Sequence, residues 1–320
     1  MNTAPRSVLV TGCAGFIGSN FVKKFRQEFP DATIVGIDNL STGRKSELDK
    51  DIKFYEGSVA DEGLVEKIFS ENKPDYVFHF AALPRVSYSV EQPTKTSGVN
   101  ILGTVALLQA SKNHGVKKFI FSSSSSIYGG AAKLPTKESE NWPNPKSPYA
   151  LQKYSSELFC RNFSELHDLD TVVLRYFNVF GPGQYGDSPY ATVIAAWLEA
   201  LYSPEKKVVY IEGDGQQSRD FSYVENVIDA NILAMNHGKK LGGDPINIAN
   251  GKRIDLLQTK ELIEKFTGKK LELEKRPERI GDVKHSHADI SKAAAILGYA
   301  PKIDFEEGLK RTIAWHQARR

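Results

Sequence analysis

Tyr149 and Lys153 stand four positions apart in the segment 147–153, SPYALQK, and Ser124 lies in the serine run of FSSSSSIYG at 121–129. Together these side chains could move a proton on and off a secondary alcohol. Ser147 is a good N-cap and Pro148 suits the first helical position, so a helix is expected to begin here. That puts Tyr149 in the first turn and Lys153 on the same face. A phenol ionises near pH 10, and using it as a base near neutrality means lowering that by about three units, roughly 4 kcal/mol. An ammonium ~4 Å away supplies about 4 kcal/mol at an effective dielectric of 20. The helix N-terminus adds a little of the same sign. A Tyr-x-x-x-Lys pair also arises on ordinary amphipathic helices, so its weight rests on the elements around it.

The first of those elements is a strand, Ser7–Thr11, running into Gly12-Cys13-Ala14-Gly15-Phe16-Ile17-Gly18 and then an amphipathic helix to about Phe29. Glycines at such spacing allow a tight turn and close backbone approach, and the helix N-terminus faces a diphosphate. A second strand, Thr33–Ile37, ends in Asp38, 20 residues after Gly18, where a carboxylate can bind an adenosine ribose diol. It would repel a 2′-phosphate, so NAD is expected rather than NADP.

Strands and helices then alternate. Strands are expected at 52–56, 76–81, 116–122 and 171–176, and helices at 62–70, 98–113 and 148–167. The strands are near-continuous apolar runs, as when both sheet faces are covered. The fold class is α/β, a Rossmann-type doubly wound parallel sheet. Asp38, His79–Ala82, Ser122–Ser126 and Asn178 fall at strand carboxyl ends, where the ligand crevice of such a sheet lies. After Asn178 a glycine/proline loop, GPGQYGDSPY, leads into mixed helices and strands: a smaller α/β lobe closing over the crevice. The expected division is a cofactor domain over 1–180, rejoined by about 222–252, and a mainly substrate-binding lobe over 181–320.

Composition sets bounds. The 320 residues suffice for one large or two modest domains, and 42 basic against 39 acidic residues leave a net charge of +3. That balance makes no electrostatic case for nucleic acid or a membrane as partner. Cys13 and Cys160 form no disulfide framework or metal-ligand spacing, and no metal is expected. No apolar run has transmembrane length and no secretory h-region precedes Val8, so a cytoplasmic protein is expected.

The ordered motifs TGCAGFIG, DNLSTG, HFAALPRV, SSSSSIYG, SPYALQK, LRYFNVFGPGQ, GDGQQSRDFSYVENV and RIGDVKHSHADISK resemble those of the extended short-chain dehydrogenase/reductases, specifically the nucleotide-sugar 4-epimerases, over essentially the whole chain. The resemblance implies that Gly12, Gly15, Phe16, Ile17 and Gly18 cradle the NAD diphosphate and that Asp38 holds the adenosine ribose. It assigns Asn39, Ser41, Thr42, Gly43, Ser58, Val59, Phe80, Ala81, Ala82, Asn100, Ser122 and Tyr176 to the cofactor as well, with Tyr149 and Lys153. It makes Tyr149 the base, Lys153 the group that lowers its pKa, and Ser124 the partner of the sugar hydroxyl. Substrate contacts are implied for Pro84, Arg85, Ser124, Ser125, Ser126, Tyr149, Asn178, Thr192, Val193, Tyr210, Arg219, Arg279, Asp282 and Ser286. Bland readings stand beside these: Asn178 as a turn cap, Arg219–Asp220 as a local ion pair, and Ser286 as a solvent-facing serine.

The reaction so implied removes the 4-hydroxyl proton and the C4 hydride, lets the 4-ketose turn over on its UDP handle, and returns both to the opposite face. Dehydratases of this kind carry Asp-Glu where Ser125 and Ser126 stand, and UDP-glucuronate decarboxylases a glutamate at Ser126, so neither chemistry is expected. A small residue at Ser286 leaves room for a C2 N-acetyl group, which points to UDP-N-acetylglucosamine over UDP-glucose/UDP-galactose or UDP-glucuronate. Ser58 departs from an aspartate common beside the adenine. Pro84-Arg85 departs from the galactose-type pattern, leaving Arg85 to the substrate phosphate or a neighbouring loop. A reductase on the same scaffold and a non-catalytic NAD sensor are the other classes; the first needs free NAD(H) exchange and the second lacks the Tyr/Lys pair. A homodimer through helices near 98–113 and 148–167 is also implied.

Overall fold

The computed structural model describes residues 5–187, 191–203, 208–277 and 283–319. Seven strands form one sheet: β1 (Ser7–Thr11), β2 (Thr33–Asp38), β3 (Lys53–Glu56), β4 (Tyr76–His79), β5 (Lys118–Ser124), β6 (Thr171–Tyr176) and β7 (Pro245–Ile248). Their order is β7-β6-β5-β4-β1-β2-β3, and every neighbouring pair is parallel. The chain winds outward from β1 through β2 to β3, then returns to β4 on the other side. The crevice of a doubly wound sheet opens at that reversal, between the carboxyl ends of β1 and β4.

Alternate strand residues enter two separate apolar layers, as the two-residue side-chain period requires. Val8, Val10, Ile34, Phe78, Ile120 and Leu174 face one layer, and Leu9, Val35, Ile37, Val77, Phe119 and Val173 the other. Helices cover both. On the first face lie α1 (Phe16–Glu28) and, from later in the chain, the helix Val224–Asn236; on the second lie α2 (Glu62–Asn72), α3 (Gly103–Asn113) and α4 (Pro148–His167). The first layer runs without interruption into the residues after 180, taking in Trp197, Ile211, Tyr223, Ile263 and Leu309. There a parallel ladder pairs Val209–Glu212 with Leu273–Arg276, flanked by the helices Val193–Tyr202, Leu256–Thr267 and Phe305–Ala318.

Several elements depart from the sequence reading, among them three beside the site. The single helix expected over 98–113 is broken by a wide π turn at Gly98–Leu102, and α3 begins only at Gly103. A Cβ at Gly103 would stand 2.7 Å from Val59 Cγ2, so this face must stay bare to pack. The segment 86–91, unassigned in sequence, is a short helix. β5 continues to Ser124, two residues past the expected end, carrying the serine run to the sheet edge.

Candidate active site

The glycine loop leaves β1 at Gly12, whose φ of +69° and distance from Ala81 both exclude a side chain: a Cβ there would lie 2.8 Å from the Ala81 amide nitrogen. One on Gly18 would lie 2.1 Å from the Gly12 carbonyl oxygen. Gly15 caps α1 and brings no side-chain acceptor, so the first-turn amides are open to an anion. Asp38, at the end of β2, is buried; its Oδ2 accepts the Ala14 amide at 3.0 Å and its Oδ1 the Leu40 amide at 2.8 Å. Burial raises its carboxyl pKa, against the opposing pull of those amides.

A buried relay fixes the loops on either side of the crevice. Thr104 Oγ1 donates to the Asn100 carbonyl at 2.8 Å and therefore accepts from His79 Nε2 at 2.9 Å. His79 Nδ1 then accepts from Thr11 Oγ1 at 2.7 Å, and Thr11 Oγ1 accepts the Ala81 amide at 3.1 Å. The donors assign His79 the neutral Nε2–H tautomer, and its complete burial holds the imidazole pKa well below the usual value.

α4 begins as expected: Ser147 Oγ accepts the Ala150 amide at 3.2 Å and Pro148 opens the first turn. The Tyr149 amide donates to the buried Ser89 Oγ at 3.0 Å, which ties α4 to the short helix Val86–Glu91. The Tyr149 hydroxyl is hydrogen-bonded to Ser124. Lys153 donates to the Ser122 carbonyl at 2.7 Å and its ammonium stands 4.7 Å from the centre of the Phe121 ring. The ionisation states differ from the sequence expectation. Burial pushes the Tyr149 phenol up to about 12, with Ser124 and the Arg85 charge opposing it. Burial also brings Lys153 down to about 8, against the pull of Cys160 and Glu157. Taking each group out of water penalises its charged form, and for both that outweighs the neighbours that oppose it.

One cleft of about 640 Å³ joins these features. Of the expected cofactor residues, Gly12, Gly15, Phe16, Ile17, Gly18, Asp38, Asn39, Ser41, Thr42, Ser58, Val59, Phe80, Ala81, Ala82, Ser122, Tyr149, Lys153 and Tyr176 line it. Gly43 is not among the lining residues and abuts Ala14, which a Cβ would approach to 2.8 Å. Asn100 is also off the cleft, fastening the Leu83 backbone to Gln152.

Of the expected substrate residues, Pro84, Arg85, Tyr149 and Thr192 line the cleft. Ser124 stands behind Tyr149, with Ser125 and Ser126 in the turn that follows, and Ser126 Oγ is buried without a hydrogen-bond partner among the described residues. Asn178 Nδ2 reaches Ser286 Oγ at 3.4 Å. Val193 opens the helix after Thr192, and Tyr210 carries the Arg276 guanidinium 3.1 Å from its ring centre. Arg219 donates to the Ser218 and Lys284 carbonyls, each at 3.1 Å. Asp220 is not its ion partner: the carboxylate accepts the amides of Asn250, Gly251 and Ala288. Arg279 and Asp282 lie outside the described residues. Sequence reasoning missed Arg44, directly after DNLSTG, and Gln184, Tyr185 and Asp187 in the glycine/proline loop, which also line the cleft; nothing local in either segment marks them.

The family model described as the NAD dependent epimerase/dehydratase family matches residues 8–249. The chain belongs to that family. It is 37% identical over 318 residues to the UDP-glucuronate 4-epimerase of Thermodesulfobacterium geofontis, covering 96% of this chain and 95% of that one. Among solved structures it is similar to a UDP-glucose 4-epimerase from Thermotoga maritima with UDP-glucose, at TM-score 0.92 and 41% identity, covering 98% of this chain and 99% of that one. It is similar also to a UDP-N-acetylglucosamine 4-epimerase from Methanobrevibacter ruminantium M1 in complex with UDP-N-acetylmuramic acid, at TM-score 0.91 and 40% identity, covering 99% and 100%.

This is an enzyme of the UDP-sugar 4-epimerase family, and its cofactor is NAD. The bare glycine turn, the open amides of α1 and the buried carboxylate of Asp38 fit the diphosphate and ribose diol of that cofactor. In this epimerase-family chain no group of three potential metal ligands occurs among the described residues, and no described helix is long and apolar enough to cross a membrane.

Proposed function

We propose that the enzyme interconverts the C4 epimers UDP-N-acetylglucosamine and UDP-N-acetylgalactosamine. Ser286 carries the N-acetyl assignment: by resemblance it stands at the position facing the sugar C2 substituent, and a small side chain there, 3.4 Å from Asn178, would leave room that a tyrosine would fill. Tyr149 takes the proton from the sugar 4-hydroxyl and returns it after the ring has turned. Ser124, already bonded to that phenol, accepts or donates as the proton moves. Lys153 and Arg85 supply positive charge that favours the phenolate as it forms. NAD, when bound, supplies the two-electron chemistry at C4. Ser126 Oγ, buried and unsatisfied among the described residues, is available to a sugar hydroxyl. Asn178, Arg219, Arg279 and Asp282 serve the UDP moiety.

The residues before 180, with 222–252, form the cofactor half and the remainder the substrate half. The working unit is a homodimer: Leu151, Leu158 and Leu166 form an exposed apolar stripe on α4, and Leu102 is exposed in the adjoining π turn. A cytoplasmic location accords with two buried free cysteines.

The test is incubation with UDP-N-acetylglucosamine and UDP-glucose separately, without added cofactor, followed by sugar analysis. Conversion of the N-acetyl sugar is expected, and Ser286→Tyr should suppress it while sparing UDP-glucose. Equal loss on both sugars removes the C2 argument.

A further inference from the structure

Tyr149 and Lys153 of α4 are accounted for by the proton chemistry. Gln152, between them, is not, although it is 2% exposed and its amide is paired at both ends. Its Oε1 accepts from Asn100 Nδ2 at 2.8 Å. Its Nε2 donates to Thr96 Oγ1 at 2.8 Å and to Ser97 Oγ at 3.1 Å. Thr96 Oγ1 spends its own proton on the Gln92 carbonyl at 3.0 Å, so it must accept from Gln152, and that fixes which way the amide points.

Asn100 carries the connection onward. Its Oδ1 accepts the Leu83 amide at 2.8 Å, and its Nδ2 donates to the Leu83 carbonyl at 3.2 Å as well as to Gln152. Both backbone groups of Leu83 are thus held by one side chain. Asn100 is itself anchored in the π turn Gly98–Leu102, where its carbonyl accepts Thr104 Oγ1 and Ser156 Oγ, each at 2.8 Å. The wide turn makes that side chain a bracket, with one arm on α4 and the other on the segment after β4.

That segment is a wall of the site: Ala81, Ala82, Leu83, Pro84 and Arg85 line the cleft together with Tyr149 and Lys153. Upstream it is tied to β1, where Thr11 Oγ1 accepts the Ala81 amide at 3.1 Å. Downstream it is tied to α4, where Ser89 Oγ accepts the Tyr149 amide at 3.0 Å. The bracket acts midway between these ties. The sugar must bring its 4-hydroxyl to the phenol from either face of the ring, so the space between Tyr149 and this wall has to hold for both epimers.

We infer that Gln152 is a positioning residue for the epimerisation: through Asn100 it sets the register of the Ala81–Arg85 wall against Tyr149 and Lys153. This rests on the 4-epimerase reading.

The experiment compares NAD-loaded wild type, Gln152→Met, Gln152→Glu and Ser156→Ala on whichever of UDP-N-acetylglucosamine and UDP-glucose the wild type converts. Gln152→Met keeps the length of the side chain and removes its hydrogen bonds. It is expected to lower kcat by about 10- to 100-fold, the cost of roughly an ångström of misplacement, while KM and NAD content stay near wild type. Gln152→Glu still offers Asn100 an acceptor, and the Thr96 and Ser97 hydroxyls can turn to donate to it, so it should recover most of the loss. Ser156→Ala deletes a bond to the same π turn but none to Leu83 or Gln152, and kcat should stay close to wild type. Unchanged kcat in Gln152→Met overturns the proposal, as does a Gln152→Glu protein no better than it. Equal loss in Ser156→Ala, or a Gln152→Met protein that sheds NAD and unfolds at lower urea, also overturns it and assigns the amide to the fold. Wild-type turnover of neither sugar removes the 4-epimerase reading and this inference with it.

Discussion

The guanidinium of Arg44 stands 3.5 Å from the centre of the Tyr185 ring. That of Arg319, from the last helix, is 4.2 Å from the same centre, while the Tyr185 hydroxyl donates to Glu47 and Arg44 pairs with Asp187. Asn20 of α1 donates to the Pro182 carbonyl at 2.9 Å. The glycine/proline segment 181–187 is therefore strapped across the cofactor end of the cleft from three directions. An epimerase returns its electrons within one turnover, so it gains by holding NAD.

Tyr185→Ala removes the ring and the Glu47 bond together. With the cluster partly exposed, about 1–2 kcal/mol is at stake, or roughly 5- to 30-fold faster NAD release. NAD per chain after prolonged dialysis should fall below one in the variant. Undiminished retention by Tyr185→Ala would show the strap to be irrelevant to the cofactor.

Tyr149→Phe should lower turnover by at least about a thousandfold while NAD stays bound. The pH profile carries the sign. With the phenol held near 12, the base form is scarce at neutrality, so kcat/KM should climb as pH rises from 6. Lys153 begins to lose its proton near 8, and the climb should flatten there. A wild-type profile level between pH 6 and 8 would show that the phenol is not held near 12 in the working enzyme.

Much of this was readable in the chain. A strand covered on both faces must be apolar along its whole length, so β1, β2 and β6 announce themselves. Gly12, Gly18 and Asp38 follow from what a diphosphate and a ribose require of the backbone, and Ser147-Pro148 from how a helix starts. What was hidden depends on distance in sequence. Arg44 and Asp187 are 143 residues apart, and neither neighbourhood records the other. The ionisation of Tyr149 and Lys153 was hidden for a related reason: spacing reveals their proximity, while the desolvation that dominates comes from everything packed around them.

Behind the site, Arg175 grips Glu157 with two bonds, Nε to Oε1 at 2.9 Å and Nη2 to Oε2 at 2.6 Å, and also donates to the Tyr128 hydroxyl at 2.8 Å. Ser123 donates to the same Glu157 carboxylate, so the pair props the serine strand beside Lys153. Both partners are buried, and removing one strands the other's charge. Arg175→Met should cost about 3–5 kcal/mol in urea unfolding. The double variant Glu157→Leu/Arg175→Met should recover part of it; no recovery would mean the pair serves packing alone.

The α4 stripe gives a separate forecast. Charge at Leu158 and Leu166 (Leu158→Glu with Leu166→Glu) should convert a dimer to monomers in analytical ultracentrifugation, with NAD still bound. A monomeric wild-type protein at micromolar concentration would leave those leucines without the proposed partner.

Asp220 ties two distant segments together, its Oδ1 accepting the Asn250 amide at 3.0 Å and its Oδ2 those of Gly251 and Ala288, each at 3.1 Å. Burial nevertheless lifts its carboxyl to about 6, above the unfolded value of about 3.9. A raised acid is protonated more readily in the fold than in the unfolded chain. Its contribution is therefore complete below about pH 4 and lost as pH rises to about 6, a change of about 3 kcal/mol. Asp220→Asn sets a side-chain NH₂ or a single oxygen against three amide donors, so it should destabilise throughout. The gap between wild type and variant should narrow between pH 4 and 6, because only the wild-type side chain titrates. Urea unfolding of both proteins at pH 4, 5, 6 and 7 measures that gap directly. A constant gap would mean that the three amides, and not burial, set the charge of Asp220.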